Sequence, residues 1–247
     1  IRDQGDGLVG SEMCIRDSVF PHHENEMAQS TCVHGGAPFA RYWVHNGFLS
    51  MDSEKMSKSL GNVLLVHDLI EMIPGEVIRL ALLNAHYRQP LDWSDETVAS
   101  ARKMLDRFYG AVRGIDVPED LRRSAEPPAA VIEALEDDIN TPKALAEMFN
   151  LARRLNKATD DGERQSLAAG LLAAGDLMGL IQQDPEAWFA GGDDGELSAD
   201  DIEQLLSERE AARANRDFAA ADAIRDKLAS AGVQIEDSAH GTRWRRG

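Results

Sequence analysis

A short loop rich in lysine and serine is the segment of this sequence best suited to chemistry. It reads Lys55-Met56-Ser57-Lys58-Ser59. Two ammonium groups, with hydroxyl and backbone donors between them, suit a polyanion such as a chain of phosphates. The loop lacks the glycine spacing of a P-loop, so it would bind phosphates from one side rather than wrap around them. Taken alone, such a stretch is as often a plain solvated loop.

A histidine and a glutamate form a second candidate site. Pro21 suits the first turn of a helix, because its missing N–H costs nothing there. Such a helix would place His22 and Glu26 on one face, four residues apart. Imidazole and carboxylate groups are both zinc ligands. The same pair also suits a charge-paired helix start, so both interpretations stay open on these residues alone.

The elements around these sites alternate between helix and strand patterns. Aromatic and branched residues over 41–50 predict a strand that leads into the lysine loop. Residues 66–73 and 75–85 show the apolar spacing of helices. Together with the helix expected near Pro21, they give residues 19–95 a mixed α/β pattern.

Residues 95–183 have a strongly helical pattern. Ser94 is expected to cap a helix over 97–112, and prolines then interrupt the apolar periodicity. A further helix is predicted over 165–181. Between them, a helix is predicted to begin at Thr141-Pro142 with one apolar stripe, formed by Leu145, Met148, Phe149, Ala152 and Leu155.

The end of the chain reads as a linker and a small module. Residues 190–200 are rich in glycine and aspartate, as flexible linkers are. Residues 201–231 predict one or two helices, and Val233 and Ile235 alternate as in a short strand.

Composition sets limits on the function. The chain has 247 residues, enough for one or two domains, and a net charge of −17, which argues against indiscriminate nucleic-acid binding. A local basic patch could still hold an RNA backbone. The two cysteines of the chain, Cys14 and Cys32, do not make a disulfide framework. We find no apolar run long enough to span a bilayer and no signal-peptide pattern at the start. The candidate basic patch consists of Arg243, Arg245 and Arg246 around Trp244.

Several motifs in a fixed order carry a family resemblance. They are FPHHENEMAQS, YWVHNGFL, EKMSKSLGN, AHYRQPLDW, DDINTP, DFAAAD and GTRWRR. In this order and spacing they resemble cysteinyl-tRNA synthetase, a class I aminoacyl-tRNA synthetase. The resemblance covers about residues 19–247, and the motifs are specific in combination.

The resemblance implies a mostly α protein in which a Rossmann-type α/β remnant precedes an antiparallel helix bundle and a small α/β C-terminal module. Residues 19–95 would be the end of the catalytic domain, with the lysine loop and a stem-contact segment. Residues 96–189 would form a helical bundle of the anticodon-binding type. Residues 190–200 would be a linker, and residues 201–247 an anticodon-recognition module.

The implied activity is the ATP-dependent ligation of cysteine to its tRNA through cysteinyl-adenylate. Charge then builds on the α-phosphate and on the leaving pyrophosphate, where mobile lysines raise the rate. The resemblance gives this role first to Lys58 and then to Lys55. Met56, Ser57 and Ser59 would complete the ATP-binding loop, and the serines could equally serve the turn itself. Magnesium would accompany ATP.

Zinc is the cofactor that the resemblance implies. In the family it binds the substrate thiol, which separates cysteine from serine because thiolate is the far better zinc ligand. The ligands that map onto this chain are His22 and Glu26, whereas His23 and Glu24 are expected to be structural. The other two family ligands are upstream cysteines that the sequence does not contain, and Cys32 matches a non-ligand position. We therefore expect a zinc half-site that binds the metal poorly.

The resemblance also implies tRNA as a partner. Arginine and carboxylate groups can read the edges of splayed bases, and aromatic rings can stack on them. The arginines could equally form surface ion pairs, and Phe218 is expected in the core. A monomer in the cytoplasm is expected. The candidate tRNA contacts are Arg213, Asp222, Arg225, Asp237 and Trp244.

The first 18 residues do not match the family. The stretch SEMCIRDS resembles translated sequencing-adapter sequence, which predicts a non-native leader over 1–18 in place of a glycine-rich segment; a divergent N-terminal loop is the alternative. The His-Ile-Gly-His signature of the family is also absent. We therefore expect the parent protein to be an enzyme and this chain alone to be inactive.

Two other functions remain open at this point. A cysteine ligase that acts on an amino-sugar acceptor resembles the synthetase in its use of zinc and of a lysine loop. It lacks a C-terminal module of this form. A non-catalytic tRNA-binding protein would explain the missing signature, yet it would have no use for an intact lysine loop.

Overall fold

The computed structural model describes most of the chain. The described residues are 22–37, 40, 42–51, 54–55, 65–190, 199–215, 217–238 and 241–246. They belong to two compact units, Ile1–Gln182 and Gln183–Gly247. The described part is mostly helical, as predicted, and contains one three-stranded and one two-stranded sheet. The predicted leader, and residues 191–198 of the predicted linker, lie outside the described residues.

The first unit contains eight helices and three short strands among its described residues. None of the described helices has both the length and the apolar character that crossing a membrane requires. In chain order the elements are α1 (Glu24–Val33), β1 (Leu49–Met51), β2 (Glu54–Lys55), α2 (Val66–Met72), α3 (Gly75–Leu83), β3 (Leu91–Trp93), α4 (Asp95–Val112), α5 (Glu119–Ser124), α6 (Ala129–Glu136), α7 (Thr141–Lys157) and α8 (Asp161–Met178).

The strand expected over 41–50 is wrong for most of its length. Residues 42–48 have no regular secondary structure, and the strand is limited to Leu49–Met51. A strand is held by hydrogen bonds to neighbouring strands. Among residues 42–51, only those of β1 have described strands beside them. Aromatic and branched residues favour a strand, but they do not provide its partner.

The three-stranded sheet has the order β2-β1-β3. Strands β1 and β2 are antiparallel, with Ser50 opposite Lys55. Strands β1 and β3 are parallel, with Leu49 opposite Leu91. A parallel pair needs a crossover connection, which here includes α2 and α3. The sheet thus joins the hairpin that leads into the lysine loop to a strand far along the chain.

The helices that follow β3 pack on one another around a shared core. Ser94 caps α4 as predicted, because its Oγ accepts a hydrogen bond from Thr97 N at 3.2 Å. Helix α4 packs against α3 and α7, and α7 also packs against α6 and α8. The largest fully buried side chains of this core include Leu105, Phe108, Tyr109, Leu145, Met148, Leu155 and Leu171.

One carboxylate joins three parts of this core. The Glu76 carboxylate, on α3, accepts hydrogen bonds from Tyr109 Oη at 2.8 and 3.0 Å. It also accepts from the backbone N–H groups of Ile181 and Gln182, each at 3.0 Å. Glu76 therefore ties the start of α3 to α4 and to the segment after α8.

The second unit has its own small core. Helices α10 and α11 pack on each other, and α11 packs on strand β4, which pairs antiparallel with β5. The core consists of Ile202, Leu205, Leu206, Leu228, Val233 and Trp244. In chain order the elements are α9 (Pro185–Ala190), α10 (Ala199–Ala214), α11 (Phe218–Ser230), β4 (Val233–Ser238) and β5 (Gly241–Arg246).

Candidate functional site

The lysine loop begins at the end of a hairpin. Lys55 lies in β2, opposite Ser50 of β1. Ser50 Oγ donates a hydrogen bond to Asp92 Oδ1 of β3 at 2.6 Å, so side chains as well as backbone join these strands. The other predicted ATP-binding residues, Met56, Ser57, Lys58 and Ser59, lie outside the described residues.

A close backbone approach holds the segment before this hairpin. Gly47 N donates to the Tyr87 carbonyl oxygen at 2.5 Å, and Leu91 N donates to the Phe48 carbonyl oxygen at 2.8 Å. A Cβ at position 47 would lie 2.0 Å from the Gln89 carbonyl oxygen. Glycine is therefore required here, because any side chain would separate the two segments.

The histidine segment forms a ring cluster that the sequence did not reveal. The ring centroids of His23 and His45 lie 5.0 Å apart in a stacked arrangement, and Trp43 lies 5.8 Å from His23. The Nδ1 atoms of both histidines are buried without a hydrogen-bond partner among the described residues. Burial lowers the pKa of His23, and the neighbouring His45 and His22 imidazoles lower it further.

The two predicted zinc ligands lie beside the start of α1. His22 and Glu26 are four residues apart across the start of α1; His22 is exposed and Glu26 is half-buried. Their donor atoms have the right chemistry for zinc. Among the described residues, however, no three His, Cys, Asp or Glu side chains are grouped to hold a metal. Cys32 is exposed and free. Two candidate ligands alone do not complete a structural or catalytic zinc site.

In the second unit, one exposed face of α11 brings together an aromatic, an acidic and a basic side chain. Asp222 and Arg225 are exposed, as their predicted role requires. Among the described residues neither forms an ion pair. Phe218, expected in the core, is instead 65% exposed, so that expectation is wrong. Residues at i, i+4 and i+7 share a helix face, which aligns Phe218 with Asp222 and Arg225.

A cavity lies at the end of this face. Its volume is about 480 Å³, within the usual range of pockets that hold small ligands. Arg225 and Ala229 form its helical side, and Gly232 to Ile235 form the side made by the turn and β4. A guanidinium group and exposed backbone beside a cavity suit the edge of a flat polar ring.

The other predicted RNA contacts lie elsewhere in the second unit. Trp244 is buried in the core, and its Nε1 donates to Glu203 Oε1 at 2.6 Å. Its ring therefore packs inside the unit and does not offer a free face for base stacking. Arg213 is exposed in the last turn of α10, where a cation complements the helix dipole. Asp237 lies in β4, opposite Thr242 of β5.

Two features were not predicted from the sequence, for different reasons. Contacts between residues far apart in sequence leave no periodic signal, so the stacking of His23 on His45 was not visible. The exposure of Phe218 could have been predicted from its place as the first residue of α11, after the capping residue Asp217, whose side chain accepts from Ala220 N at 3.1 Å. First-turn residues often lie at a rim rather than in a core.

Three family models match consecutive parts of the chain. Residues 12–103 match the class I (C) tRNA synthetase catalytic domain. Residues 130–182 match the DALR domain, and residues 194–245 match the cysteinyl-tRNA ligase anticodon binding domain. These matches follow the order that the motifs predicted.

Curated relatives named cysteine–tRNA ligase match nearly the whole chain. The protein of Parvibaculum lavamentivorans is 58% identical over 231 residues, 93% of this chain and 49% of its own length. Those of Xanthomonas campestris pv. campestris and Rhodospirillum rubrum are 54% and 53% identical, each over 93% of this chain and 50% of their own length. The chain thus spans about half the length of the curated relatives it matches. From its motifs, its matched domains and these relatives, the chain belongs to the cysteinyl-tRNA synthetase family.

Proposed function

We propose that this chain serves the ATP-dependent ligation of cysteine to its tRNA through cysteinyl-adenylate. The observation that carries the proposal is the succession of a catalytic, a DALR and a cysteinyl-tRNA anticodon-binding match along one chain. The third match favours tRNA over an amino-sugar acceptor. Cysteine, ATP with magnesium, and tRNA are the proposed ligands, and the proposed setting is a monomer in the cytoplasm.

In this proposal the lysine loop acts on the phosphates of ATP. Lys58 and Lys55 stabilise the charge that develops on the α-phosphate and pyrophosphate as cysteine attacks. Met56, Ser57 and Ser59 complete the loop, with hydroxyl donors for phosphate oxygens. The pairing of β2 with β1, and of β1 with β3, supports the role because it fixes where the loop begins.

His22 and Glu26 are the two residues of this chain that would contribute to a zinc site. When bound, zinc would supply a Lewis acid that prefers the thiol of cysteine to the hydroxyl of serine. The contribution of this chain is to present one imidazole and one carboxylate at the start of α1.

For tRNA, we propose a division along the chain. Residues 19–95 hold the catalytic end, residues 96–189 form the helical domain, and residues 201–247 after the linker at 190–200 read the anticodon. The reading surface is the face of α11 that carries Asp222 and Arg225, together with Arg213 and Asp237. We add Phe218 as a stacking platform because it is exposed beside them, and we assign Trp244 to the core.

Filter binding of the whole chain to tRNA tests this proposal. We expect tighter binding to the cysteine tRNA than to the same tRNA with a changed anticodon. Base-reading side chains each contribute about 1–3 kcal/mol of discrimination. Arg225→Gln should therefore reduce the preference about five- to 150-fold.

Lys227→Gln is the matched control for this experiment. It also removes one positive charge from the exposed surface of α11. It lies two residues from Arg225, and thus on about the opposite face of the helix. It should leave the preference between the two tRNAs unchanged. Equal binding of both tRNAs by the unmodified chain, or equal losses from the two substitutions, would contradict the proposed reading surface.

A further inference from the structure

A strained turn between α6 and α7 presents one carboxylate to another part of the first unit. Asp138 and Ile139 both have left-handed backbone angles, with φ of 56° and 54°. Aspartate tolerates this conformation, but a β-branched residue rarely adopts it. Such strain persists only where surrounding contacts hold the backbone in place. Contacts of Asp138 with its surroundings therefore help to hold this turn in its strained conformation.

The Asp138 carboxylate is held by a fork of donors from the segment before β3. Arg88 Nε donates to its Oδ2 at 2.7 Å, and an Arg88 terminal nitrogen donates to Oδ1 at 3.0 Å. Tyr87 Oη donates to the same Oδ1 at 2.7 Å. His86 Nε2 lies 3.9 Å from Oδ2, and its ring stacks on that of Tyr87. The hydrogen bonds from Arg88 and then Tyr87 lower the pKa of Asp138 to about 2.

A second contact joins the same two segments. Thr141 Oγ1, at the start of α7, donates to the Ala85 carbonyl oxygen at 3.5 Å. The turn and the first residue of α7 thus contact residues 85–88 at two separate points. A bidentate arginine–carboxylate pair fixes orientation as well as distance, so together these contacts define how the segment lies against the helices.

The segment that contains residues 85–88 also contacts the chain just before β1, the first strand of the lysine hairpin. The carbonyl oxygen of Tyr87 accepts from Gly47 N, and the peptide of Gln89 lies where a Cβ of Gly47 would be. Strand β1 follows Gly47 directly and pairs with β2, which contains Lys55. Each step from Asp138 to the backbone of Lys55 is thus a hydrogen bond or a peptide chain.

We propose that Asp138, acting through Arg88 and Tyr87, is a positioning residue that sets where the lysine hairpin stands relative to the helical part of its unit. This role rests on the proposed function, because it matters for catalysis only if Lys55 and its loop act on ATP. The contact would then hold the phosphate-binding strand in register with the helices of the same unit.

Amide hydrogen exchange of the whole chain, without ATP or RNA, tests the proposal directly. Asp138→Asn removes the charge and keeps a residue that tolerates the left-handed turn. Exchange reports local opening of hydrogen bonds. We expect the amides of Gly47, Leu91 and β1–β2 to exchange about tenfold faster, as suits the loss of a charge-assisted fork. Exchange in α7 and α8 should not change.

Asp137→Asn is the matched control. It removes a neighbouring exposed carboxylate, which lies 3.6 Å from Lys143 and makes no described contact with residues 86–88. It should leave exchange in the hairpin unchanged. Unchanged hairpin exchange in Asp138→Asn would overturn the proposal, and so would equally faster exchange throughout the unit, since that result indicates a general loss of stability.

Substitutions at Arg88 separate positioning from simple packing. Arg88→Gln should match Asp138→Asn, and the double substitution should add nothing, because both remove one shared interaction. Arg88→Lys keeps the charge without the planar fork and should restore hairpin protection in part. Additive effects of Arg88→Gln and Asp138→Asn would overturn the proposal. Failure of the chain to bind tRNA would refute the proposed function and leave these exchange results intact, so the two failures are distinguishable.

Discussion

Residues 22–72 and residues 75–182 belong to the same unit but bury their apolar side chains very differently. In the first region Val33, Tyr42 and Met72 are 79%, 88% and 70% exposed. In the second, Leu105 and Phe108 have no exposed surface. The second region therefore has a core of its own, whereas the first takes its position from strand pairing and from contacts such as those of Gly47. His22, Glu26 and Lys55, the candidate zinc and ATP residues that the structure describes, lie in the region with less described core.

The largest expected effect comes from opening the core of the second region. Leu105→Ala should lower the free energy of unfolding by about 2–5 kcal/mol, because a buried leucine is replaced by a cavity. Tyr42→Ala, in the first region, should change it by less than about 0.5 kcal/mol. Urea unfolding followed by circular dichroism measures both. Similar losses from the two substitutions would erase the difference between the regions.

The next effect concerns the carboxylate that joins three parts of the second region. Glu76→Ala should cost about 1–3 kcal/mol, because it leaves Tyr109 Oη and two backbone N–H groups without their acceptor. Glu133→Ala removes an exposed carboxylate from α6 and serves as the control. The same urea experiment applies. Equal stability of the two variants would show that Glu76 does not hold these segments together.

A smaller effect is expected at the boundary between β3 and α4. Ser94→Ala should cost about 1 kcal/mol, since Thr97 N loses the side-chain acceptor that caps the helix. Ser94→Asp keeps an acceptor and should retain most of the stability. Thermal unfolding of the three proteins compares them. A loss with aspartate as large as with alanine would point to packing rather than capping.

The smallest effect is a pH dependence at the contact of Asp138 with Tyr87 and Arg88, inside the second region. Arg88 and Tyr87 lower the pKa of Asp138 from 3.8 to about 2. A lowered native pKa means that the contact stabilises the fold above the ordinary pKa and loses this contribution as pH falls from about 3.8 to about 2. Wild type and Asp138→Asn should therefore converge in unfolding midpoint over that range. A gap that persists at the lowest pH would assign the effect to something other than the charge.

The helices were the most predictable part of the fold. In the apolar stripe of α7, the side chains of Leu145, Met148, Ala152 and Leu155 are buried. Ser94 caps α4, as its sequence context indicated. Both signals are local: helical periodicity and a capping residue lie within a few positions of each other. Residues 201–231 were expected to form one or two helices and lie in two, and the expected strand follows them.

Contacts between distant residues were not predictable. Arg88 and Asp138 are 50 positions apart, and nothing in either motif marks the other as its partner. The same limit explains the strand over 41–50, whose residues favour β structure but mostly lack a described neighbour to pair with. At Trp244, residue type suggested RNA stacking, while the hydrogen bond to Glu203 and the apolar neighbours that bury the ring come from other elements. The candidate lysines were identified by resemblance, since their own pattern also fits a solvated loop.

The parallel pairing of β1 with β3 has a consequence during protein synthesis. Ser50 and its partner Asp92 are separated by 42 positions. At ribosomal rates of about 5–20 residues per second, the first strand leaves the ribosome roughly 2–8 s before its partner does. During that interval the hairpin that starts the lysine loop has an unpaired edge. Premature pairing with another nascent chain is thus a hazard of this topology, and slow translation through residues 51–93 would prolong it.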